Sequence, residues 1–303
     1  MIDRLGVGLA ALGRPAYINL GREGALPATR SVGEMRAACW AVLDAAYAAG
    51  IRWVDVARSY GRAEEFLAGW LTDRGHADVT VSSKWGYAYV GGWRLDAEVH
   101  EVKEHTLARF THQFGQTRSL LGDRLALYQV HSLTPDSPLF DDHELTAALA
   151  RSGVRLGFST SGPAQAETIA RALDLEVEGR RLFTAVQSTW NPLEPSAGPV
   201  LARAHDAGVH VLVKEALANG RLAVDPPPLI AHLAARHDVG PDAIALAAAL
   251  AQPWADTVLL GPAGVDQLHS NLAATTVDLD EDLTTLAQPP PDYWAHRASL
   301  PWT

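Results

Sequence analysis

The apolar residues of this chain form eight short runs of four or five residues, separated by longer stretches of mixed polarity. Short continuous apolar runs are typical of strands buried on both faces of a parallel sheet. The predicted strands are residues 6–10, 53–57, 79–83, 126–130, 154–158, 184–187, 209–213 and 257–260.

The stretches between these runs are alanine-rich and amphipathic, which predicts helices. The first begins at Ser31, where Glu34 completes a capping-box pattern, and ends at Gly50. The others are residues 63–74, 98–116, 142–152, 163–173, 197–207, 229–237, 241–251 and 265–274. Strands alternating with helices over nearly the whole chain predict an α/β fold, a closed (β/α)₈ TIM barrel forming a single domain over residues 1–303.

A second fold is compatible with the first strand, a doubly wound sheet with a dinucleotide site in its first turn. Residues 6–11 read G-V-G-L-A-A and match the pattern G-x-G-x-x-A. That pattern requires a helix to begin in the turn. Residues 12–29 hold three more glycines and two prolines, so the sequence favours the barrel.

Composition narrows the partners and the location of the chain. Its 303 residues are 48% hydrophobic and carry a formal net charge of −10, which argues against nucleic acid or an anionic membrane as partner. The one cysteine, Cys39, excludes an intrachain disulfide and favours the cytoplasm. We find neither a signal peptide nor a spacing typical of metal ligands, and therefore expect a soluble protein without a metal; its oligomeric state stays open.

Polar residues follow several predicted strands at their carboxyl ends, the face that carries the active site in a TIM barrel. Asp55 lies in the second strand, Lys84 follows the third and His131 follows the fourth, while Tyr60 lies in the loop after the second. Each of them alone could be structural. A buried carboxylate and ammonium need partners, so we expect Asp55 and Lys84 to pair.

These four side chains together predict proton transfer at one oxygen atom. A phenol has a pKa near 10, and a nearby ammonium lowers it by stabilising the phenolate. We expect Lys84, held by Asp55, to do so for Tyr60, and His131 to donate a hydrogen bond to a carbonyl oxygen. Such a site suits hydride addition to a carbonyl, or the reverse reaction of an alcohol.

The motifs around these residues resemble those of the aldo-keto reductase superfamily. Residues 50–61, G-I-R-W-V-D-V-A-R-S-Y-G, are similar to the family pattern G-x-x-x-x-D-T-A-x-x-Y-G, and Lys84 and His131 match its strand lysine and histidine. Looser similarities continue through residues 157–159, 186–191, 216–220 and 261–271, in the family's order.

The resemblance implies an NAD(P)-dependent oxidoreductase with Tyr60 as general acid/base and a carbonyl compound or sugar as substrate. It also implies an extended nicotinamide dinucleotide bound without a Rossmann domain. Ser159 and Gln187 would hold the carboxamide of that cofactor. Its pyrophosphate and adenosine would contact a further set, Lys214, Leu217, Asn219, Gly220, Gly261, Gln267 and Asn271.

Three departures from the family pattern affect the cofactor site. Thr160 replaces a frequent asparagine, and Lys214 stands where a tyrosine often stacks on the nicotinamide. Ala263, with Asp266 close by, replaces the Arg or Lys that pairs with the 2′-phosphate of NADP. The sequence therefore slightly favours NAD over NADP.

Aromatic residues are predicted to line the substrate pocket at the mouth of the barrel. They are Tyr17, Trp85, Tyr87, Trp93 and Trp302, and they suit a sugar face or an apolar aldehyde. Two other functions stay open. One is a cofactor-binding regulatory subunit with little turnover. The other is a barrel lyase or isomerase that uses Lys84 as base or Schiff-base former.

Overall fold

The computed structural model describes residues 1–303 and contains a closed barrel of eight parallel strands, each paired with its neighbours in chain order. They are β1 (Leu5–Gly8), β2 (Trp53–Asp55), β3 (Thr80–Trp85), β4 (Leu125–Leu133), β5 (Arg155–Thr160), β6 (Ala185–Thr189), β7 (His210–Lys214) and β8 (Thr257–Leu260). All eight predicted strands are confirmed. Because β1 pairs with both β2 and β8, the sheet closes, and the doubly wound alternative is wrong.

Helices surround the barrel. They are α1 (Val32–Ala48), α2 (Ala63–Arg74), α3 (Leu107–Leu121), α4 (His143–Ala150), α5 (Gln165–Leu173), α6 (Gly198–Asp206), α7 (Arg221–Val224), α8 (Pro228–His237), α9 (Pro241–Leu250), α10 (Val265–Leu272) and α11 (Pro290–Ser299). The capping box predicted at Ser31 and Glu34 is formed. None of these helices has the length and apolar content needed to cross a membrane.

The helix predicted over residues 98–116 is wrong in its first part. Strand Glu101–Lys103 pairs antiparallel with strand Tyr87–Tyr89, and the two form a hairpin. Helix α3 begins only at Leu107, because the Thr106 hydroxyl accepts a hydrogen bond from the backbone amide of Arg109. This hairpin brings residues from both of its strands to the mouth of the barrel.

The C-terminal segment also reaches the mouth of the barrel, over the loop that follows β1. Tyr17 and Thr303 exchange two backbone hydrogen bonds, with N–O distances of 3.1 and 3.2 Å. The buried guanidinium of Arg22 donates to the carbonyls of Ala11, Pro15 and Thr303. These hydrogen bonds hold the loop after β1 and the C-terminal segment together beside the carboxyl ends of the strands.

Candidate active site

A cavity of about 240 Å³ opens at the carboxyl ends of the barrel strands. Asp55, Tyr60 and His131 line it, and Lys84 lies against them with its side chain fully buried. The structure thus brings the four predicted catalytic side chains together from three neighbouring strands and one loop.

Asp55 is the centre of a buried hydrogen-bond network across the barrel. Its Oδ1 atom accepts from Ser82 Oγ at 2.6 Å and from the side-chain amides of Gln129 and Gln187, each at 3.1 Å. Its Oδ2 atom accepts from the Lys84 ammonium. These donors come from β3, β4 and β6, so the carboxylate is fixed in position and its charge is satisfied.

Lys84 is held on two sides beneath the phenol ring. Its ammonium donates to Asp55 and to the backbone oxygen of Val56, at 3.0 Å from the latter. The nitrogen lies 4.8 Å from the centroid of the Tyr60 ring. The predicted Asp55–Lys84 ion pair is therefore present in the structure, and its positive charge lies next to the phenol.

The Tyr60 phenol is protonated in this environment. Burial raises its pKa well above 10, and the nearby negative charge of Asp55 raises it further. The net direction is opposite to the lowering expected from Lys84, because burial has the largest effect on this pKa; among the neighbouring positive charges, Arg14 opposes the rise. A neutral phenol carries the proton that reduction of a carbonyl consumes.

His131 reaches the cavity from an irregular end of β4. The pairing of β4 with β5 shifts register between Val130 and Leu133, and Ser132 adopts a left-handed backbone with φ of 53°. The His131 ring lies edge-on to that of Tyr60, with 5.5 Å between centroids. Burial, aided by the charge of Lys84, lowers its pKa well below 6.5, so the imidazole is neutral.

The predicted cofactor residues separate into two groups. Five of them line the cavity: Gln187, Lys214, Leu217, Asn219 and Gly261. The other four lie outside it: Ser159, Gly220, Gln267 and Asn271.

The second group is engaged in contacts within the protein. Ser159 is fully buried, and its hydroxyl oxygen accepts from the backbone amide of Ser132 at 2.8 Å. Gln267 bridges Ala263 and Gly21, and Asn271 donates to Asp242. Gly220 has a φ of 88°, and a Cβ atom there would lie 2.5 Å from the Leu20 oxygen.

The loop after β7 presents free hydrogen-bond donors to the cavity. The backbone amides of Leu217 and Asn219 make no hydrogen bond within the protein. Lys214 donates to Thr189 Oγ1 at 2.8 Å and lies 3.7 Å from a carboxylate oxygen of Glu215. Two amides and an ammonium on one wall are groups that suit an anion.

Only part of the predicted aromatic pocket is present. Tyr17, Tyr87 and Trp302 line the cavity. Trp85 does not, because successive side chains of a strand point to opposite faces: Lys84 faces the barrel interior, so Trp85 packs outward against Phe110 of α3, with 5.1 Å between centroids. Trp93 also lies outside the cavity, since its indole donates to the Arg30 carbonyl at 2.9 Å.

The comparison with protein families agrees with this geometry. The sequence profile of the Aldo/keto reductase family matches residues 34–286. The chain belongs to this family. Its members are oxidoreductases, and we assign this aldo-keto reductase to that general class; the lyase or isomerase alternative loses its support.

Individual relatives are distant in sequence but similar over most of their length. The aldo-keto reductase str7 of Strobilurus tenacellus is 24% identical over 276 residues, which cover 80% of this chain and 77% of the relative. A crystal structure of a Pseudomonas aeruginosa protein classed with the aldo-keto reductases has a TM-score of 0.63 at 24% identity and covers 89% of this chain and 88% of its own. A second structure from that organism gives 0.62 at 24% identity, covering 91% and 90%. These solved structures support the fold.

Four charged residues of this aldo-keto reductase line the cavity although the sequence did not single them out as site residues. They are Arg14, Glu101, Glu215 and Arg297. Arg297, on α11, donates to the Glu215 carboxylate through Nε and Nη2. Glu215 also accepts a hydrogen bond from the Thr189 hydroxyl. The order of elements does not reveal that α11 and the hairpin fold over the mouth, so no local signal marks these residues.

Proposed function

We propose that this protein is an NAD(P)-dependent oxidoreductase that reduces the carbonyl group of an aldehyde, ketone or sugar, with Tyr60 as general acid/base. The observation that carries the proposal is the convergence of a neutral phenol, a neutral imidazole and a buried Lys84–Asp55 pair on one cavity. These groups suit protonation of an oxygen atom, and the family is one of oxidoreductases.

The cavity residues fit a nicotinamide dinucleotide. The amide of Gln187 donates to Asp55 and leaves its carbonyl oxygen free to accept from a carboxamide. The free amides of Leu217 and Asn219, with Lys214, suit pyrophosphate oxygens. When bound in its reduced form, the cofactor supplies a hydride to the carbonyl carbon.

The residues of the chain supply the proton and stabilise the negative charge that remains on the proton donor. Tyr60 donates its hydroxyl proton to the carbonyl oxygen, which becomes the alcohol. The Lys84 ammonium, 4.8 Å from the ring centroid, stabilises the resulting phenolate, and Asp55 keeps the ammonium in place. The neutral His131 ring offers its one N–H to the same oxygen. In the reverse direction, the phenolate takes the proton of an alcohol.

An absorbance assay tests this proposal. Purified protein is mixed with NADH or NADPH and a panel of aldehydes, ketones and aldoses. We expect nicotinamide absorbance to fall only when protein and carbonyl compound are both present. A folded protein that binds the cofactor but turns over none of the panel would contradict the proposal and favour the regulatory-subunit alternative.

Cofactor choice follows from the loop after β8, and we expect tighter binding of NADH than of NADPH. Residues 261–271 contain no Lys or Arg, and Ala263 is buried. Asp266 is exposed in the first turn of α10, directly after this loop, and would repel a 2′-phosphate bound there. We predict that Asp266→Arg lowers the Kd of NADPH about tenfold without changing that of NADH. Equal changes for both cofactors would contradict this placement of the adenosine end.

Lys214 is predicted to make cofactor binding depend on pH. Burial, with smaller effects of Arg297 and Lys84, lowers its pKa to about 8, while Glu215 opposes the shift. The ammonium is therefore charged below about pH 8 and neutral above it. If it contacts the pyrophosphate, the Kd of NADH should rise severalfold as pH increases through about 8, as measured by calorimetry. Lys214→Met should bind weakly throughout and lose this pH dependence; an unchanged dependence would exclude Lys214 as its source.

A further inference from the structure

Arg14 lies in the loop after β1, and three of its five N–H groups make no hydrogen bond. Its side chain is 1% exposed and lines the cavity. Nη1 donates to the Ser59 carbonyl at 3.1 Å and to Glu101 Oε1 at 2.7 Å. The buried Nε atom has no partner, and Nη2 donates to no atom of the protein.

The unused Nε and Nη2 atoms form one edge of the guanidinium and donate in parallel. Arg297 of the same protein uses the equivalent edge to bind Glu215: its Nε and Nη2 atoms both donate to the carboxylate, with 3.0 Å between Nε and Oε1. Parallel donors of this kind match the two oxygens of a carboxylate. Arg14 therefore offers the geometry that Arg297 already uses, without a protein carboxylate opposite it.

The surroundings of Arg14 make an unpaired edge costly. The guanidinium carbon lies 4.8 Å from the Tyr17 ring centroid, 4.9 Å from that of Trp302 and 5.3 Å from that of Tyr60. Aromatic faces attract a cation but accept its N–H groups poorly. A buried donor without an acceptor destabilises the protein, so an anion bound here would gain a strong interaction.

The charged side chains around the cavity nearly balance one another. The positive groups are Arg14, Lys84, Lys214 and Arg297, and the negative groups are Asp55, Glu101 and Glu215. The surplus is a single positive charge, so the cavity as a whole does not repel an anion.

We propose that the unused edge of Arg14 binds a carboxylate of the substrate, so that the enzyme acts on short oxo acids. The proximity of the guanidinium to the Tyr60 ring requires the carboxylate and the reacting carbonyl to lie in the same small molecule, a few bonds apart. This inference rests on the proposed carbonyl reduction, because it names the substrate class of that same cavity.

A matched set of aldehydes tests the inference on the wild-type enzyme. Succinic semialdehyde carries a carboxylate, its methyl ester has the same chain without the charge, and butanal lacks both. We expect kcat/KM for the acid to exceed that for either neutral aldehyde by about tenfold or more. A preference for the neutral aldehydes, for an aldose or for a phosphorylated aldehyde such as glyceraldehyde 3-phosphate would overturn it.

Variants of Arg14 separate charge recognition from a structural role. We expect Arg14→Met to lower kcat/KM for succinic semialdehyde about 30-fold or more but that for butanal less than about threefold. Arg14→Lys keeps the charge without the parallel donors and should be intermediate. Arg151→Met, at an exposed position on the outer helix layer, is the control and should match the wild type. Equal losses for acid and neutral aldehyde would show that Arg14 only supports the fold.

A binding measurement keeps this test independent of turnover. Calorimetric titration of the NAD-loaded protein with succinate should show binding that Arg14→Met weakens about tenfold or more, while Arg151→Met retains it. If no aldehyde is reduced yet succinate binds through Arg14, the proposed reaction fails and the carboxylate site stands. If butanal is reduced but succinate fails to bind, or binds both proteins equally, the carboxylate site fails and the reaction stands.

Discussion

Tyr60→Phe is expected to lower kcat for carbonyl reduction by about three orders of magnitude. The substitution removes the proton donor and leaves the ring, whose contacts with Arg14, Lys84 and His131 are retained. The hydroxyl makes no hydrogen bond to a protein side chain, so the change leaves no buried partner unsatisfied. We therefore expect an unchanged Tm and an unchanged Kd for the cofactor.

Tyr87→Phe is the matched control for this prediction. Tyr87 lines the same cavity, and its ring centroid lies 5.0 Å from that of His131. If Tyr60 is the acid, loss of the Tyr87 hydroxyl should change kcat less than about tenfold. Comparable losses in both variants, or a Tyr60→Phe enzyme within about tenfold of wild type, would assign the proton to another group. Steady-state rates with saturating cofactor distinguish these outcomes.

The barrel could be predicted because each element carries its own local signal. Every strand is a short apolar run, and residues such as Gly50, Gly153 and Gly208 adopt the positive φ that ends a helix segment before the next strand. The four catalytic side chains could be predicted for the same reason. Asp55, Lys84 and His131 interrupt or follow apolar strands, and parallel strands bring their carboxyl ends to one face.

Local patterns did not reveal features that depend on side-chain direction or on distant segments. The prediction that Trp85 lines the pocket was wrong because Trp85 and Lys84 are neighbours in one strand, and their side chains therefore point to opposite faces. Arg14 reaches Tyr60 because the two loops approach closely at Gly13, where a Cβ atom would lie 2.2 Å from the backbone carbonyl oxygen of Tyr60. This close approach and the contact of Arg297 with Glu215 join segments that are distant in sequence, so only the folded structure reveals them.

Lys84→Met is expected to destabilise the fold and to remove most activity. The variant leaves the Asp55 carboxylate buried without its cation, and breaking a buried ion pair on one side costs about 3–5 kcal/mol. Asp55 also accepts hydrogen bonds from Ser82, Gln129 and Gln187. The loss of stability should therefore extend to the strands that carry these residues, β3, β4 and β6. Urea unfolding measures this free energy. Arg52→Met, which breaks an exposed ion pair with Asp78, is the control and should cause no comparable loss.

A double-variant cycle with Asp55→Asn separates the charge pair from packing. Asp55→Asn alone leaves the Lys84 ammonium buried and unpaired, whereas Lys84→Met with Asp55→Asn leaves neither charge. The double variant should therefore be more stable than the sum of the two single losses predicts, by about 1–3 kcal/mol. Activity should not recover with stability, because the ammonium that stabilises the Tyr60 phenolate is still missing. Additive losses would show that the two residues act independently, and a stable, active Lys84→Met enzyme would mean that Tyr60 needs no cation for proton transfer.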